Sequence, residues 1–285
     1  MLTKGIRRCV SWLCWLFFAF VVLCAAGEAY LRLSGYMPSE FDSDAVLGWT
    51  GTSGDHRSEE DPSVMEYVWA NGQRRSRANQ HERRPKRVAV FGDSYTYGAG
   101  VRDECTFCWK LHELCPEATF DNYAVGGYGP YQCYLSICDI LKREKYDLII
   151  YCVWNGSLLR NIHQSGQNRP DFYLTPWVEL RNGQLVEHSP DVLPTWARHI
   201  YLFSFIKRVQ MGISAYNSPI DTGKSDEYRR QVFTALLKRI AAETERYQIP
   251  LLLCLLSKDK DYYIKDGEKL NAVIADVSLS EFEDP

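Results

Sequence analysis

The sequence lacks an excess of positive charge. Its 285 residues carry a formal net charge of −3 at pH 7, so no broad positive field is present to attract nucleic acid or anionic lipid. The densest basic run, HERRPKR at 81–87, is local and precedes a strand-like segment. We interpret this run as a solvated linker and expect no nucleic-acid partner.

Signatures of metal and cofactor sites are missing as well. Cys105 and Cys108 form a lone CxxC motif, without the second cysteine pair or the histidine pair that a zinc site requires. No phosphate loop ending in Gly-Lys-Ser/Thr is present, and no G-x-G-x-x-G follows the first predicted strand. The sequence therefore predicts no metal and no cofactor, and it argues against a flavin or dinucleotide protein.

An uncharged apolar run follows a basic flank at the N-terminus. The run extends from Cys9 to Gly27, and as a helix it is roughly 28 Å long, close to the thickness of the hydrocarbon core of a bilayer. A signal peptide cleaved near 24–27 and a retained signal anchor both fit this pattern. We favour a single-pass anchor because the run is longer than a usual signal core. Since the basic flank stays cytoplasmic, the domain is expected on the extracytoplasmic side, and secretion after cleavage is the alternative.

The chain divides into three parts by its hydrophobic pattern. An apolar fraction of 46% with 24% charged residues is typical of a globular protein. Residues 1–33 are assigned to the anchor or signal segment, the polar residues 34–85 to a linker and irregular lead-in, and residues 86–285 to the globular domain. Within that domain, 157–225 is too long and irregular for an ordinary connection. We interpret it as an inserted lid or substrate-facing region.

Apolar runs and helical segments alternate along the predicted domain. Five short apolar runs are strand candidates, at 87–91, 119–125, 147–153, 250–256 and 271–276. Three segments have helical spacing, at 105–114, 130–143 and 226–247. This alternation favours an α/β fold with a parallel sheet covered by helices on both faces.

Polar or glycine-rich loops follow three successive predicted strands. The loops are GDS at 92–94, GGYG at 126–129 and WNG at 154–156. Because the carboxyl ends of parallel strands share one edge of the sheet, we expect a serine hydroxyl, glycine amides and a side-chain amide in one crevice. Enzymes that catalyse acyl transfer use such a nucleophile together with hydrogen-bond donors for the oxyanion.

These loops resemble the sequence blocks of a known family. FGDSYTYGAGV at 91–101 resembles the first block of the SGNH (GDSL-like) hydrolases, and NYAVGGYGPYQ at 122–132 resembles their second. VWN at 153–155 stands where their third block begins, and the resemblance covers residues 86–276. It implies a three-layer α/β/α sandwich with a parallel, flavodoxin-like sheet, in addition to the N-terminal transmembrane helix.

The resemblance also implies roles for three residues. Ser94 matches the nucleophile, and its own amide, the amide of Gly127 and the side chain of Asn155 match the oxyanion hole. The third block departs from the family pattern, since Val153 stands where the family has Gly and Gly156 where it has Asp. The Asn155 donor is retained, although the composition of its loop differs.

Two further features are expected to be structural. Asp93 is predicted to order the loop around Ser94 through backbone hydrogen bonds instead of acting as a catalytic acid. NGQR at 71–74 resembles a lead-in segment of exported members of the family. It is expected either to pack under the sheet or to form an ordinary turn.

The last sequence block of the family is not found. In the family it supplies an Asp and, three residues later, the His that deprotonates the serine, whereas no His follows His199 in this sequence. A serine without a positioned base is a poor nucleophile at neutral pH. The chain is then a fragment or frameshifted product, or a binding pseudoenzyme, or it uses His163, His188 or His199 from the insertion as the base. We favour the first explanation and rank the third lowest, because a lone His among aromatic residues is more often a packing residue.

The sequence therefore predicts a membrane-anchored serine esterase or acyl-ester hydrolase of the SGNH type, impaired if it is truncated. The expected partners are an ester-bearing small molecule, lipid or polysaccharide, and the membrane through the N-terminal helix. One alternative is a non-catalytic binding module that uses the same crevice. The other is an O-acyltransferase that moves acyl groups onto an envelope polysaccharide.

Overall fold

A computed structural model describes residues 2–36, 41–58, 60–154, 156, 160, 162, 175–190, 199–217, 225–256 and 273–277. The helices in this part of the chain are α1 (Leu2–Leu33), α2 (Ser94–Tyr97), α3 (Phe107–Leu114), α4 (Pro130–Arg143), α5 (Tyr201–Asn217) and α6 (Asp226–Arg246). The strands are β1 (Phe41–Asp44), β2 (Gly48–Gly51), β3 (Gly54–Arg57), β4 (Met65–Val68), β5 (Lys86–Phe91), β6 (Ala118–Asn122), β7 (Leu148–Trp154), β8 (Trp177–Arg181), β9 (Gln184–His188), β10 (Leu251–Leu256) and β11 (Val273–Val277).

Five parallel strands form the central sheet. Their order across the sheet is β11-β10-β7-β5-β6, and every neighbouring pair is parallel. Counted along the chain, this order is 2-1-3-4-5, so the connections change direction between β5 and β7. Ligands of such sheets bind outside the carboxyl ends of the strands at this switch point. The predictions of an α/β class and of five parallel strands are confirmed.

Helices cover both faces of the sheet because its strands alternate their side chains. Ala89 and Phe91 of β5 face α4 and α6, together with Tyr151 of β7. Val88 and Val90 of β5 belong to the opposite face, which packs against α3. Since both faces are buried, the strands read as continuous apolar runs in the sequence. The three predicted helices correspond to α3, α4 and α6.

The expected lead-in contains regular structure that the sequence pattern does not predict. The strands β1 and β2 form one antiparallel hairpin, and β3 and β4 form another. Trp49 of β2 is buried. Its indole donates to the Gly126 carbonyl at 3.1 Å, and its own carbonyl accepts from the Tyr128 hydroxyl at 2.7 Å. Contacts with distant residues, not local periodicity, therefore hold these four-residue strands.

The NGQR segment at 71–74 packs against the edge of the sheet. The Arg74 amide donates to the Asn122 carbonyl of β6 at 2.9 Å. The Arg74 side chain is fully buried, donates to the Val101 carbonyl at 2.8 Å and pairs with Asp103 at 2.5 Å. The Gly72 amide also donates to the Trp69 carbonyl at 2.9 Å, and the Trp69 amide donates to the Gln73 carbonyl at 2.8 Å. The expected turn is therefore confirmed, and the segment pairs with the edge of the sheet instead of packing under it.

The insertion contains a hairpin and a helix. The strands β8 and β9 pair around Asn182 and Gly183, which have positive φ angles of 49° and 75°. Val178 of β8 is fully buried against Val232 and Leu236 of α6. The sequence analysis predicts irregular loops here, although Asn-Gly between alternating apolar residues is a known hairpin signal. The insertion is therefore more regular than the sequence analysis predicts.

The helix α1 is the one helix in the described part of the chain that is long and apolar enough to cross a membrane. The candidate span is Arg8–Leu33, with 26 residues and a mean hydropathy of 2.4 over its most apolar 18 residues. Its apolar side chains are exposed, and its C-terminal end contacts α5. Length and composition therefore agree with the predicted anchor.

Candidate active site

Ser94 lies directly after β5, at the carboxyl edge of the central sheet. It begins α2 and is half-buried. A tight turn joins the strand to the helix at Gly92. A Cβ atom at Gly92 would lie 2.1 Å from Thr96 Oγ1 and 2.9 Å from the Cys152 carbonyl oxygen. The motif therefore has glycine two residues before the serine because Thr96 and β7 occupy the space that a side chain would need.

Asp93 fixes the first turn of α2. Its Oδ1 accepts a hydrogen bond from the Tyr95 amide at 3.1 Å, as a helix N-cap does. Burial raises the pKa of the Asp93 carboxyl above its ordinary value, while the nearby Arg160 guanidinium opposes this shift. The expectation that Asp93 orders the loop around Ser94 is confirmed.

The loop that carries Gly127 runs beside the turn that follows β5. The Tyr123 amide donates to the Val90 carbonyl at 2.8 Å, and the Val125 amide donates to the Gly92 carbonyl at 3.3 Å. These bonds continue the pairing of β5 and β6 beyond the ends of the strands. Gly127 has a φ of 82°, in the left-handed region that favours glycine.

The guanidinium of Arg160 joins the two loops. Its Nη1 lies 3.4 Å from Asp93 Oδ2 and donates to the Tyr128 carbonyl at 3.0 Å. Asp93 immediately precedes Ser94, and Tyr128 immediately follows Gly127. Arg160 therefore holds together the loops that carry two of the three predicted site residues. Arg160 carries no signal in the sequence, because a single arginine in an irregular segment matches no motif.

Trp154 ends the third strand beside the same loops. Its ring lies 5.3 Å from the Tyr95 ring and 5.9 Å from the Arg160 guanidinium, measured to ring centroids. A Cβ atom at Gly156 would lie 2.1 Å from the Trp154 ring. The Trp154 ring therefore occupies the space that a side chain at position 156 would need, and glycine leaves this space free. Asn155, between these two residues, lies outside the described residues.

Two backbone donors and one hydroxyl at this edge make no hydrogen bond with the described part of the chain. They are the amides of Ser94 and Gly127 and the hydroxyl of Ser94. Acyl-transfer sites use amide donors of this kind to bind the oxygen of a carbonyl group that a serine attacks. The described residues therefore supply the kinds of group that acyl transfer uses.

None of the histidines in the described part of the chain hydrogen-bonds to Ser94. His188 stacks on Trp177, with ring centroids 3.7 Å apart, and lies 3.0 Å from Glu179 Oε1. His199 lies just before α5, where its carbonyl accepts from Arg32 at 2.7 Å. His163 lies outside the described residues. The hypothesis that the insertion supplies the base therefore stays a prediction.

Comparisons with known proteins give distant structural likenesses. No protein-family model matches the chain, and no curated protein matches it. A crystal structure of AlinE4, described as an SGNH-hydrolase family esterase, is 19% identical over 69% of this chain and 77% of that chain, with a TM-score of 0.38. An aspartate-to-alanine mutant of AlinE4 gives the same identity and coverage with a TM-score of 0.37. A serine-to-alanine mutant is 18% identical over 66% of each chain, with a TM-score of 0.35. Likenesses at these TM-scores carry no argument about what this chain does.

Proposed function

We propose that the chain is a serine esterase of the SGNH type with Ser94 as its nucleophile. The observation that carries the proposal is the contact between the loops after β5 and β6. Arg160 bonds to the residue before Ser94 and to the residue after Gly127. The motif resemblance at 91–101 and 122–132 supports the same assignment. The strand order 2-1-3-4-5 also supports a three-layer sandwich with a flavodoxin-like sheet.

In the proposed reaction, the Ser94 hydroxyl oxygen attacks the carbonyl carbon of an ester. The carbonyl oxygen takes up negative charge and accepts hydrogen bonds from the amides of Ser94 and Gly127, with the Asn155 carboxamide as a third donor. Cleavage of the ester bond releases the alcohol, which takes up a proton, and leaves the acyl group on Ser94. Water then attacks this acyl-enzyme, releases the carboxylic acid and restores the serine.

We propose that α1 crosses a membrane and holds the domain on the extracytoplasmic side. The basic residues that precede the apolar run support this orientation. An ester-bearing lipid, polysaccharide or small molecule near the membrane surface is the substrate class that suits this location.

Hydrolysis of p-nitrophenyl acetate by the full chain in detergent micelles tests the proposed activity. We expect turnover by the wild-type chain and only the background rate for Ser94→Ala, because the variant has no nucleophile. The matched control is Ser63→Ala, since Ser63 is exposed and bonds to Asp61 on the surface. That control is expected to keep the wild-type rate.

Two other outcomes would replace the proposal. Equal rates for the wild-type chain and Ser94→Ala would contradict hydrolysis by this chain, the result expected of a non-catalytic binding module or of a chain that lacks its catalytic base. Transfer of the acetyl group to an added sugar faster than to water would assign an acyltransferase that uses the same serine.

The residue that takes the proton from Ser94 is open to a separate test. His163, His188 and His199 are the histidines of the insertion, and each can be replaced by Gln. A loss of turnover as large as that of Ser94→Ala in one of these variants would identify the base. Unchanged rates in all three would exclude the insertion as its source.

A further inference from the structure

Hydrogen bonds join the end of α1 to the beginning of α5. Glu28 accepts from the Tyr201 amide at 3.1 Å and from the Leu202 amide at 2.8 Å. One turn further along α1, Arg32 donates to the His199 carbonyl at 2.7 Å, and its guanidinium lies 4.4 Å from the centroid of the Tyr201 ring. These contacts fix the first turn of α5 against the last two turns of α1.

The contact lies at the level where the apolar run of α1 ends. Gly27 is the last residue of that run, and a Cβ atom placed there would lie 3.3 Å from a Leu202 methyl group. Glu28 and Arg32 are the first charged residues after the run. If α1 crosses a bilayer, its apolar run fills the hydrocarbon core and these charged residues lie among the lipid headgroups. The first turn of α5 then lies in the headgroup region too.

Three of the four exposed side chains described in α5 are apolar, and the fourth is Gln210. Phe205, Ile206 and Val209 are 40%, 54% and 46% exposed, and Ile200, just before the helix, is 43% exposed. Ile206 and Val209 are three residues apart, so they share one face of the helix. Large apolar side chains exposed together mark a surface that meets lipid or another protein.

The charges of α5 favour lipid as the occupant of this surface. The helix carries Lys207 and Arg208 and no acidic residue. Basic residues on an amphipathic helix are attracted to anionic headgroups. The apolar face is also continuous with the exposed apolar surface of α1.

We propose that α5 is an interfacial membrane helix, with Ile206 and Val209 in contact with the lipids of the bilayer that α1 crosses. The inference rests on the proposed anchor and adds a second site of membrane contact. Because α5 is joined to the end of α1, its contact with lipid extends the membrane contact of the chain beyond the spanning helix.

Photo-crosslinking in vesicles tests the inference on the full chain. Variants carry p-benzoylphenylalanine at Ile206 or at Val209 and are reconstituted into vesicles of phosphatidylcholine and phosphatidylglycerol. Phe17 of α1 is the positive control for the anchor, and Leu114 of α3, which is 76% exposed, is the control for an exposed apolar position away from α1. After irradiation, mass spectrometry identifies whether each site is joined to lipid or to protein.

We expect lipid adducts at 17 and at 206 or 209, and none at 114. Lipid adducts at 17 with none at 206 and 209 would overturn the inference while leaving the anchor in place. Protein adducts at 206 and 209 would overturn it in favour of a second copy of the chain. Absence of lipid adducts at 17 would contradict the anchor itself and, with it, the inference.

Discussion

Gly92 lies where the turn after β5, the helix α2 and the strand β7 meet. The space beside its Cα is filled by Thr96 Oγ1 and by the Cys152 carbonyl. The same turn sets the position of Ser94, so the packing around Gly92 determines where the proposed nucleophile stands. A methyl group added here must move either α2 or β7.

We expect Gly92→Ala to lower the free energy of unfolding by about 1–3 kcal/mol, the usual range for overpacking. Urea unfolding of the full chain in micelles, followed by fluorescence, measures the change. The matched control is Gly51→Ala, where the nearest atom to an added Cβ is a Val68 methyl at 3.4 Å, an ordinary contact. Equal stability of the Gly92→Ala variant and the wild-type chain would contradict the described turn.

Arg160 is expected to act as a positioning residue for the proposed site. It touches Asp93 and the Tyr128 carbonyl, not the reacting atoms. Because small displacements of a catalytic group are costly, we expect Arg160→Ala to lower kcat for p-nitrophenyl acetate by about tenfold to a hundredfold. KM is expected to change little, and Arg160→Lys is expected to recover part of the loss.

A matched control separates this effect from a general loss of charge. Arg102 pairs with Glu104 on the surface, and its side chain is 66% exposed. Arg102→Ala is expected to keep the wild-type kcat. A loss of stability in Arg160→Ala with an unchanged kcat would show that Arg160 holds the fold and not the site.

At the scale of elements, Asp121 of β6 joins several segments through one buried carboxylate. Its Oδ1 lies 2.8 Å from the Arg77 guanidinium. Its Oδ2 accepts from Arg87 at 2.9 Å and from the Tyr146 hydroxyl at 2.8 Å. The lead-in, β5 and the loop before β7 therefore all meet at this residue.

We expect Asp121→Ala to lower the free energy of unfolding by about 3–5 kcal/mol, because it leaves the buried Arg77 guanidinium without its counterion. Chemical unfolding of the full chain in micelles provides the measurement. The matched control is Asp139→Ala, which removes an exposed pair with Arg143 on α4 and is expected to have little effect. Similar losses of unfolding free energy in Asp121→Ala and Asp139→Ala would contradict the burial of the Asp121 carboxylate.

The sequence predicts the elements that its apolar pattern encodes directly. The five strands of the sheet appear as apolar runs because both faces of the sheet are buried. The hairpins before β5 cannot be recognised in the sequence pattern, because their strands have only four residues. These strands depend on distant partners such as Tyr128, which bonds to Trp49. The hairpin around Asn182 and Gly183 does have a local signal in the sequence, an Asn-Gly pair between alternating apolar residues.

Some residues of the candidate site can also be predicted from the sequence, and others cannot. Ser94 and Gly127 are predictable because they lie in motifs directly after apolar strands. Arg160 is not predictable, since its role depends on two loops that come together only in the fold. The exposed apolar face of α5 was missed because the pattern of 157–225 is dominated by aromatic and polar residues.

At the scale of the whole molecule, the proposed orientation in the membrane makes a prediction about two cysteines. Cys105 is exposed and Cys108 is fully buried. In right-side-out membrane vesicles, a membrane-impermeant maleimide is expected to label the chain at Cys105 without lysis. Cys105→Ser is expected to lose this label, and Cys108→Ser is expected to keep it. Labelling at Cys105 that requires lysis would place the domain on the cytoplasmic side.

The central claim is that the hydroxyl of Ser94 reacts as a nucleophile. Incubation of the full chain with a fluorophosphonate, followed by peptide mass spectrometry, tests this claim directly, because the reagent forms a covalent adduct with a reactive serine. We predict a single adduct on the peptide that contains Ser94, and no adduct in the Ser94→Ala variant. An adduct on a different serine, or ester hydrolysis that continues while Ser94 stays unmodified, would contradict the account.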